Sequence, residues 1–175
     1  MQTNLYKTQF SDFFNSPDIQ SGIKDSVHLI ENKIQRIFFI GNGGSNSICS
    51  HMMEDFAKIA RFPTFCFSDA SLITCFANDY GYEMAMAEWL KIHFKEGDLL
   101  VAISSSGESK NILNAVDYTK SQNGAIITLS GFKSKNSLSQ KGDINFYLNI
   151  SNYGIVECFH QVILHIILDS LNVKN

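Results

Sequence analysis

Apolar positions along the chain alternate between short continuous runs and a helical spacing. The runs at 37–40 and 99–103 are uninterrupted, and the run at 125–129 contains a single threonine, as expected of parallel strands buried on both faces. A shorter run at 64–67 and an alternating stretch at 144–150 predict two more strands, the last at an edge. Strands that alternate with helical segments favour an α/β fold. We expect a doubly wound parallel sheet in an α/β/α sandwich.

Two helices are expected before the first strand, within residues 2–34. Asn15-Ser16-Pro17-Asp18 interrupts their apolar spacing with a stop and a restart, and Ser16 is the expected N-cap. The final helix is apolar on nearly every side, which predicts burial. We therefore expect a single domain over 1–175, with N-terminal helices in 1–34 and the sandwich in 36–171. The other helices are expected at 45–60, 72–78, 82–94, 109–122 and 155–171.

Composition is that of an ordinary globular protein, with 45% hydrophobic and 18% charged residues. A formal charge of −3 without a basic tract argues against nucleic acid as the main partner. No apolar run approaches the roughly 20 residues of a membrane helix, and no signal segment opens the chain. Cys49, Cys66, Cys75 and Cys158 form no Cys-x-x-Cys pair, so buried reduced thiols are expected. These features predict a soluble cytoplasmic protein without a membrane partner.

A glycine-rich turn, Gly41-Asn42-Gly43-Gly44-Ser45, follows the first predicted strand and opens a helix. Such a turn presents the free N–H groups of the helix to an anion, with the positive end of the helix dipole behind them. It lacks the third spaced glycine of a dinucleotide fingerprint and the Gly-Lys-Ser/Thr of a P-loop. The turn predicts an anion site without a nucleotide cofactor, unless it is an ordinary strand-to-helix loop.

A second polar loop, Ser104-Ser105-Ser106-Gly107-Glu108-Ser109, follows the strand at 99–103. Its hydroxyls and amides form a neutral cradle, which suits a sugar phosphate better than a nucleoside triphosphate. The alternative is a serine-rich turn in which Ser106 or Ser109 caps the next helix. Because the carboxyl ends of parallel strands share one edge of a sheet, we expect both loops at that edge.

Three further polar residues lie in the predicted loops near strand ends. Asp69, Asn78 and Asp79 are able to hydrogen-bond sugar hydroxyls. Each is equally well explained as an Asx-turn or cap residue. The spacing alone leaves these two alternatives open.

Two predicted helices each carry a histidine and a carboxylate spaced by one or two helical turns. His51 and Asp55 share a face of the helix after the glycine-rich turn, with Glu54 adjacent. In the last helix, Glu157 and His165 lie two turns apart, a rise of about 12 Å. If the two helices meet at the mouth of the sheet, these side chains could hold a divalent metal such as zinc, or act as a general acid and base.

The alternative for His51 and His165 is a histidine whose polar atoms are satisfied inside the core. Gln161 lies between Glu157 and His165 at the same four-residue spacing. The other three histidines have no such setting, and we expect them at the surface or in packing contacts: His28, His93 and His160.

Together these motifs resemble the sugar isomerase (SIS) domain family, and within it the bacterial phosphoheptose isomerases most of all. The resemblance covers about residues 36–171, with a comparable pair of helices before them. The motifs that carry it are Gly41-Asn42-Gly43-Gly44-Ser45, His51, Ser68-Asp69, Asn78-Asp79-Tyr80-Gly81, the run at 104–109, and His165.

The resemblance implies a homotetramer with active sites between subunits. It implies conversion of sedoheptulose 7-phosphate to a glycero-manno-heptose 7-phosphate, for nucleotide-activated heptoses of lipopolysaccharide or capsule. His51 and His165 match family histidines of the catalytic or zinc site, with Asp55 or Glu54 as base and His165 as acid. The implied phosphate ligands are Ser45, Ser104, Ser106 and Ser109 beside the turn glycines Gly43 and Gly44, and the implied sugar ligands are Asn42, Asp79 and Ser105.

The chain departs from the family pattern at several positions. The usual catalytic glutamate is Asp55, and the usual glutamine eight residues before the second histidine is Glu157, which keeps metal ligation possible and adds negative charge. A family aspartate is replaced at about Gly154. No arginine of this chain is placed on the family arginine near the short connection at 60–63. The competing hypothesis is a non-catalytic relative that binds a sugar phosphate or a replication initiator, which would not require two histidines and two carboxylates.

Overall fold

The computed structural model describes residues 2–171. Over this part of the chain the fold contains seven α-helices, five β-strands and a short 3-10 turn at Leu138–Gln140. The helices are α1 Gln2–Phe14, α2 Pro17–Lys33, α3 Gly44–Lys58, α4 Ala70–Tyr80, α5 Tyr82–His93, α6 Lys110–Ser121 and α7 Tyr153–Ser170. The strands are β1 Arg36–Ile40, β2 Thr64–Cys66, β3 Asp98–Ser104, β4 Ala125–Ser130 and β5 Ile144–Tyr147.

All five strands are parallel, in the order β2-β1-β3-β4-β5. After β1 the chain first builds towards β2, and from β3 onwards it builds in the opposite direction. The boundary between β1 and β3 is therefore the topological switch point, where ligands bind in open α/β sheets. The predicted doubly wound sandwich is confirmed.

Alternate strand residues supply two hydrophobic cores, one on each face of the sheet. Ile37 and Phe39 pack with α1, α2, α3 and α7 on one face. Phe38 and Ile40 pack with α5 and α6 on the other face. Every residue of β3 is buried, because this strand lies at the centre of the sheet with helices on both sides.

Capping residues explain where several helices begin. The Ser16 hydroxyl accepts a hydrogen bond from the Ile19 amide at 3.5 Å, which confirms the predicted N-cap of α2. Asp69 caps α4, so this helix starts at residue 70 and is longer than the predicted 72–78. Asn152 caps α7 in the same way. The predicted strand at 144–150 is shorter, because pairing with β4 ends at Tyr147.

Two predictions about burial are wrong in part. One face of α7 is buried against the sheet and the N-terminal helices, but Cys158 and Asp169 on the other face are exposed. Of the four cysteines, which are all free, Cys49 is buried and Cys66 is partly buried, whereas Cys75 and Cys158 are exposed. Both exposed thiols lie on outward helix faces, although their neighbours in the sequence are largely apolar.

None of the helices within 2–171 is long and apolar enough to cross a lipid bilayer.

Candidate active site

A cavity of about 180 Å³ lies at the switch point, between the loop after β1 and the loop after β3. Glu157 and Tyr153, from the first turns of α7, form another part of its wall. Six residues predicted as substrate ligands also line it: Asn42, Ser45, Ser104, Ser105, Ser106 and Ser109. The two polar loops predicted from the sequence therefore meet in space.

Two helices that begin at this cavity have no side-chain cap. The N-cap residues are Gly43 for α3 and Ser109 for α6, and neither side chain accepts a hydrogen bond from the first turn. By contrast, α2, α4 and α7 are all capped by side chains. Gly43 has φ of 54°, a conformation that favours glycine. Uncapped N–H groups at two helix starts leave donors available for an anion.

The serine hydroxyls around the cavity differ in their hydrogen bonding. The Ser105 hydroxyl oxygen is buried and has no partner within residues 2–171. The Ser104 hydroxyl donates to Ser109 Oγ at 3.2 Å and accepts from the Gly107 amide at 3.2 Å. The Ser106 hydroxyl accepts from the Glu108 amide at 3.2 Å. A buried hydroxyl without a partner is costly, which favours a ligand at Ser105.

Asn42 is fixed in place by two residues that the sequence did not single out. Its side-chain amide exchanges two hydrogen bonds with that of the buried Asn111, at 3.0 and 2.9 Å. The Tyr82 hydroxyl donates to Asn42 Oδ1 at 2.7 Å. These contacts join the loop after β1 to α5 and α6, and they set the orientation of Asn42 at the cavity.

Beyond the cavity, α3 and α7 bring two histidines and a carboxylate together. His51 Nε2 lies 3.1 Å from Asp55 Oδ2, and His165 Nδ1 lies 4.0 Å from the same oxygen. The two imidazole rings meet edge to face, with centroids 5.4 Å apart. All three ligand atoms lie within 4.8 Å of one another. The side chains of His51 and His165 are 52% and 37% exposed, so the cluster is open to a substrate.

Gln161 bridges the outer nitrogens of both rings. Its Nε2 lies 3.2 Å from His51 Nδ1 and 3.0 Å from His165 Nε2. With the amide in this orientation both ring nitrogens accept, so the ring protons lie on the sides that face Asp55. In this arrangement the orientation of the Gln161 amide is coupled to the tautomers of both imidazoles.

The chain matches the SIS domain family over residues 15–131. It is 32% identical to a phosphoheptose isomerase of Fusobacterium nucleatum, over 95% of this chain and 91% of that relative. The chain belongs to the SIS domain family. Its fold is similar to that of the phosphoheptose isomerase from Neisseria gonorrhoeae, with a TM-score of 0.87, 20% identity, and coverage of 98% of this chain and 96% of that one. For the enzyme from Francisella tularensis the TM-score is 0.83 at 25% identity, covering 96% and 93%. These relatives support an isomerase.

Not every candidate residue lies at the centre of this SIS domain. Glu54 is exposed and borders a separate open depression beside His51 and Ser68. Asp79 is exposed at the end of α4, where it accepts a hydrogen bond from Asn78 at 2.9 Å. Asp69 accepts hydrogen bonds from the amides of residues 71 and 72 at 2.9 and 3.0 Å, which supports the interpretation of Asp69 as a cap residue. Glu157 lies in the serine-lined cavity, outside the group of His51, Asp55 and His165.

The histidine buried in the SIS core is His160, on the inward face of α7. It is fully buried, as expected of a packing residue, and burial lowers its pKa to about 4. Neither ring nitrogen has a hydrogen-bond partner of normal geometry within residues 2–171, although the Ser130 backbone lies nearby. His28 and His93 are exposed, also as expected.

Proposed function

We propose that the protein is an aldose–ketose isomerase that converts sedoheptulose 7-phosphate to D-glycero-D-manno-heptose 7-phosphate. This reaction would supply nucleotide-activated heptoses for lipopolysaccharide or capsule. The support is the set of relatives named phosphoheptose isomerase, which match nearly the whole chain. Their names are the reason for choosing a heptose over other sugar phosphates.

The observation that carries the proposal is the alignment of two sites along one helix. Glu157 lies at the serine-lined cavity, and His165, two turns further along α7, lies in the histidine cluster. The two positions are about 12 Å apart along the helix. A sugar with its phosphate at one end and its carbonyl at the other fits this separation. Its phosphate would bind the uncapped helix starts, and its first two carbons would reach Asp55 and His165.

The reaction needs a proton removed from one carbon and returned to its neighbour, while charge develops on the enediol oxygens. Asp55 is the base we assign, because it lies within the cluster whereas Glu54 points to a different surface. His165 is the acid, placed on the opposite helix to protonate or stabilise an oxygen. Asn42, held by Asn111 and Tyr82, would orient the sugar.

The donor set of this cluster also fits a zinc ion. Two imidazoles and one carboxylate are the ligands of many catalytic zinc sites, with a fourth position left open. Bound zinc would polarise the substrate oxygens. His51, Asp55 and His165 would hold it through the atoms that face one another, and those ring nitrogens would then carry no proton. Gln161 would rotate its amide to accept from the outer N–H groups.

The test is an isomerisation assay of the pure protein on sedoheptulose 7-phosphate, with shorter ketose phosphates as comparison and with and without a chelator. We expect turnover that Asp55→Asn lowers at least about 100-fold, which is typical for a positioned base. Glu54→Gln is the matched control and should retain most activity. A protein that binds the sugar phosphate but never interconverts it would instead be a non-catalytic member of the family.

A further inference from the structure

Glu157 is a carboxylate without a partner in a cavity otherwise built from neutral donors. It is partly buried, and it makes no hydrogen bond or ion pair with any residue between 2 and 171. Its oxygens lie directly over Gly44, the first residue of α3. A β-carbon built on Gly44 would lie 2.4 Å from Glu157 Oε1 and 2.6 Å from Oε2. The absence of a side chain at residue 44 thus makes room for this carboxylate.

This position conflicts with a site for a bare anion. The uncapped starts of α3 and α6 and the serine hydroxyls favour a negatively charged group. A fixed carboxylate in the same cavity repels that group, and no Lys or Arg side chain lines the cavity among the described residues to offset the charge. A bare phosphate ion would therefore bind with its best donors on one side and a like charge on the other.

A sugar phosphate resolves the conflict because it brings hydroxyl donors beside its phosphate. A carboxylate accepts hydrogen bonds strongly, and a hydrogen bond from a hydroxyl to a charged acceptor is stronger than one between neutral groups. Glu157 lies one turn before Gln161 on α7, between the serine loop and the histidine cluster. The middle of a sugar chain that joins the two would pass this carboxylate.

We propose that Glu157 is a specificity-determining residue, which accepts a hydrogen bond from a sugar hydroxyl near the phosphate and rejects anions that have no hydroxyl there. This inference rests on the proposed function for the identity of the bound sugar. It assigns Glu157 to the substrate in place of the metal. The rejected class contains inorganic phosphate and other anions without a sugar hydroxyl beside the phosphate.

The experiment measures binding by calorimetry for the wild-type protein, Glu157→Gln and Glu157→Asp, with Asp169→Asn as control. Asp169 is exposed on the same helix, so its substitution changes the net charge equally without touching the cavity. The ligands are inorganic phosphate and sedoheptulose 7-phosphate. We expect Glu157→Gln to bind inorganic phosphate at least about tenfold more tightly, because a like charge is removed. Glu157→Asp, which keeps the charge, should bind phosphate as weakly as wild type.

We also expect Glu157→Gln to lose its preference for the sugar phosphate over inorganic phosphate. Unchanged phosphate affinity in Glu157→Gln, or an equal gain in Asp169→Asn, would overturn the inference. Phosphate binding can be measured without turnover. The proposed isomerase activity and the proposed role of Glu157 can therefore fail independently. A gain in phosphate affinity without any isomerisation by wild type would remove the proposed function and keep the role of Glu157.

Discussion

His165 gives a direct single-residue test, because its ring is partly exposed and is held by Gln161 on one side and faces Asp55 on the other. We expect His165→Gln to lower turnover at least about 100-fold, the usual effect of losing a positioned acid or base. Thermal stability should change little, since removing a partly exposed polar ring leaves no cavity in the core. Assays and melting curves are compared with those of His93→Gln, an exposed histidine. Wild-type turnover with an earlier melt would make His165 a packing residue.

Because His160 is buried, we expect the folded protein to lose stability in mild acid. Its folded pKa is about 4, below the ordinary value of about 6.5, so the unfolded chain binds the extra proton between these two pH values. The free energy of unfolding should therefore fall as the pH drops from about 6.5 to 4, by about 3 kcal/mol in total from this group. Denaturant unfolding at several pH values in this range measures the slope of the free energy of unfolding against pH. His160→Leu should flatten it, whereas His93→Leu should leave it unchanged.

In the sequence, the four-residue spacing with Gln161 and Glu157 set His165 apart from His160, but it did not give the burial of either ring. His160 and His165 both lie among apolar residues, and only the packing of α7 on the sheet shows that one ring is buried and the other faces α3. Gln161 was visible in the four-residue spacing, but its bridging role depends on two helices meeting. Asn111 and Tyr82 gave no sequence signal, because their partner, Asn42, is 69 and 40 residues away.

At the scale of elements, the uncapped starts of α3 and α6 lead to a test of the anion site. Ser45→Ala combined with Ser106→Ala should weaken sugar-phosphate binding at least about tenfold, since a hydrogen bond to a charged group contributes about 1.5–3 kcal/mol. The fold should persist, because neither hydroxyl supports the sheet. Calorimetry compares the double variant with Ser121→Ala, at the far end of α6. This comparison separates the loss of the anion site from a general effect of removing a serine hydroxyl. An unchanged affinity would remove Ser45 and Ser106 from the site.

Elements were the features most accessible from the sequence. The mainly apolar runs located the buried strands, and Ser16-Pro17 marked the start of α2. The predicted ends of helices and strands were wrong where tertiary contacts or capping set the boundary. Pairing with β4 ends β5 at residue 147, and the N-cap Asp69 lengthens α4, although its chemistry was visible in the sequence.

For the whole molecule, we predict a homotetramer, with a dimer as the alternative. Large apolar side chains remain exposed on several surfaces of the chain, including Phe14 at 51%, Ile92 at 63% and Tyr153 at 61%. Covering such side chains between copies would stabilise an assembly. Light scattering at micromolar concentration should give about four times the chain mass of 19.7 kDa. A mass near that of one chain would contradict the prediction.

The position of the cavity at the switch point has a consequence for protein synthesis. Its walls come from residues 41–45, 104–109 and 153–157, so the glycine-rich turn leaves the ribosome long before its counterparts. Until β3 has paired with β1 and α7 has docked, the nascent chain has no pocket. A ligand stabilises only the state that binds it. Cellular sugar phosphate would therefore protect finished chains from proteolysis and give no protection to prematurely terminated ones.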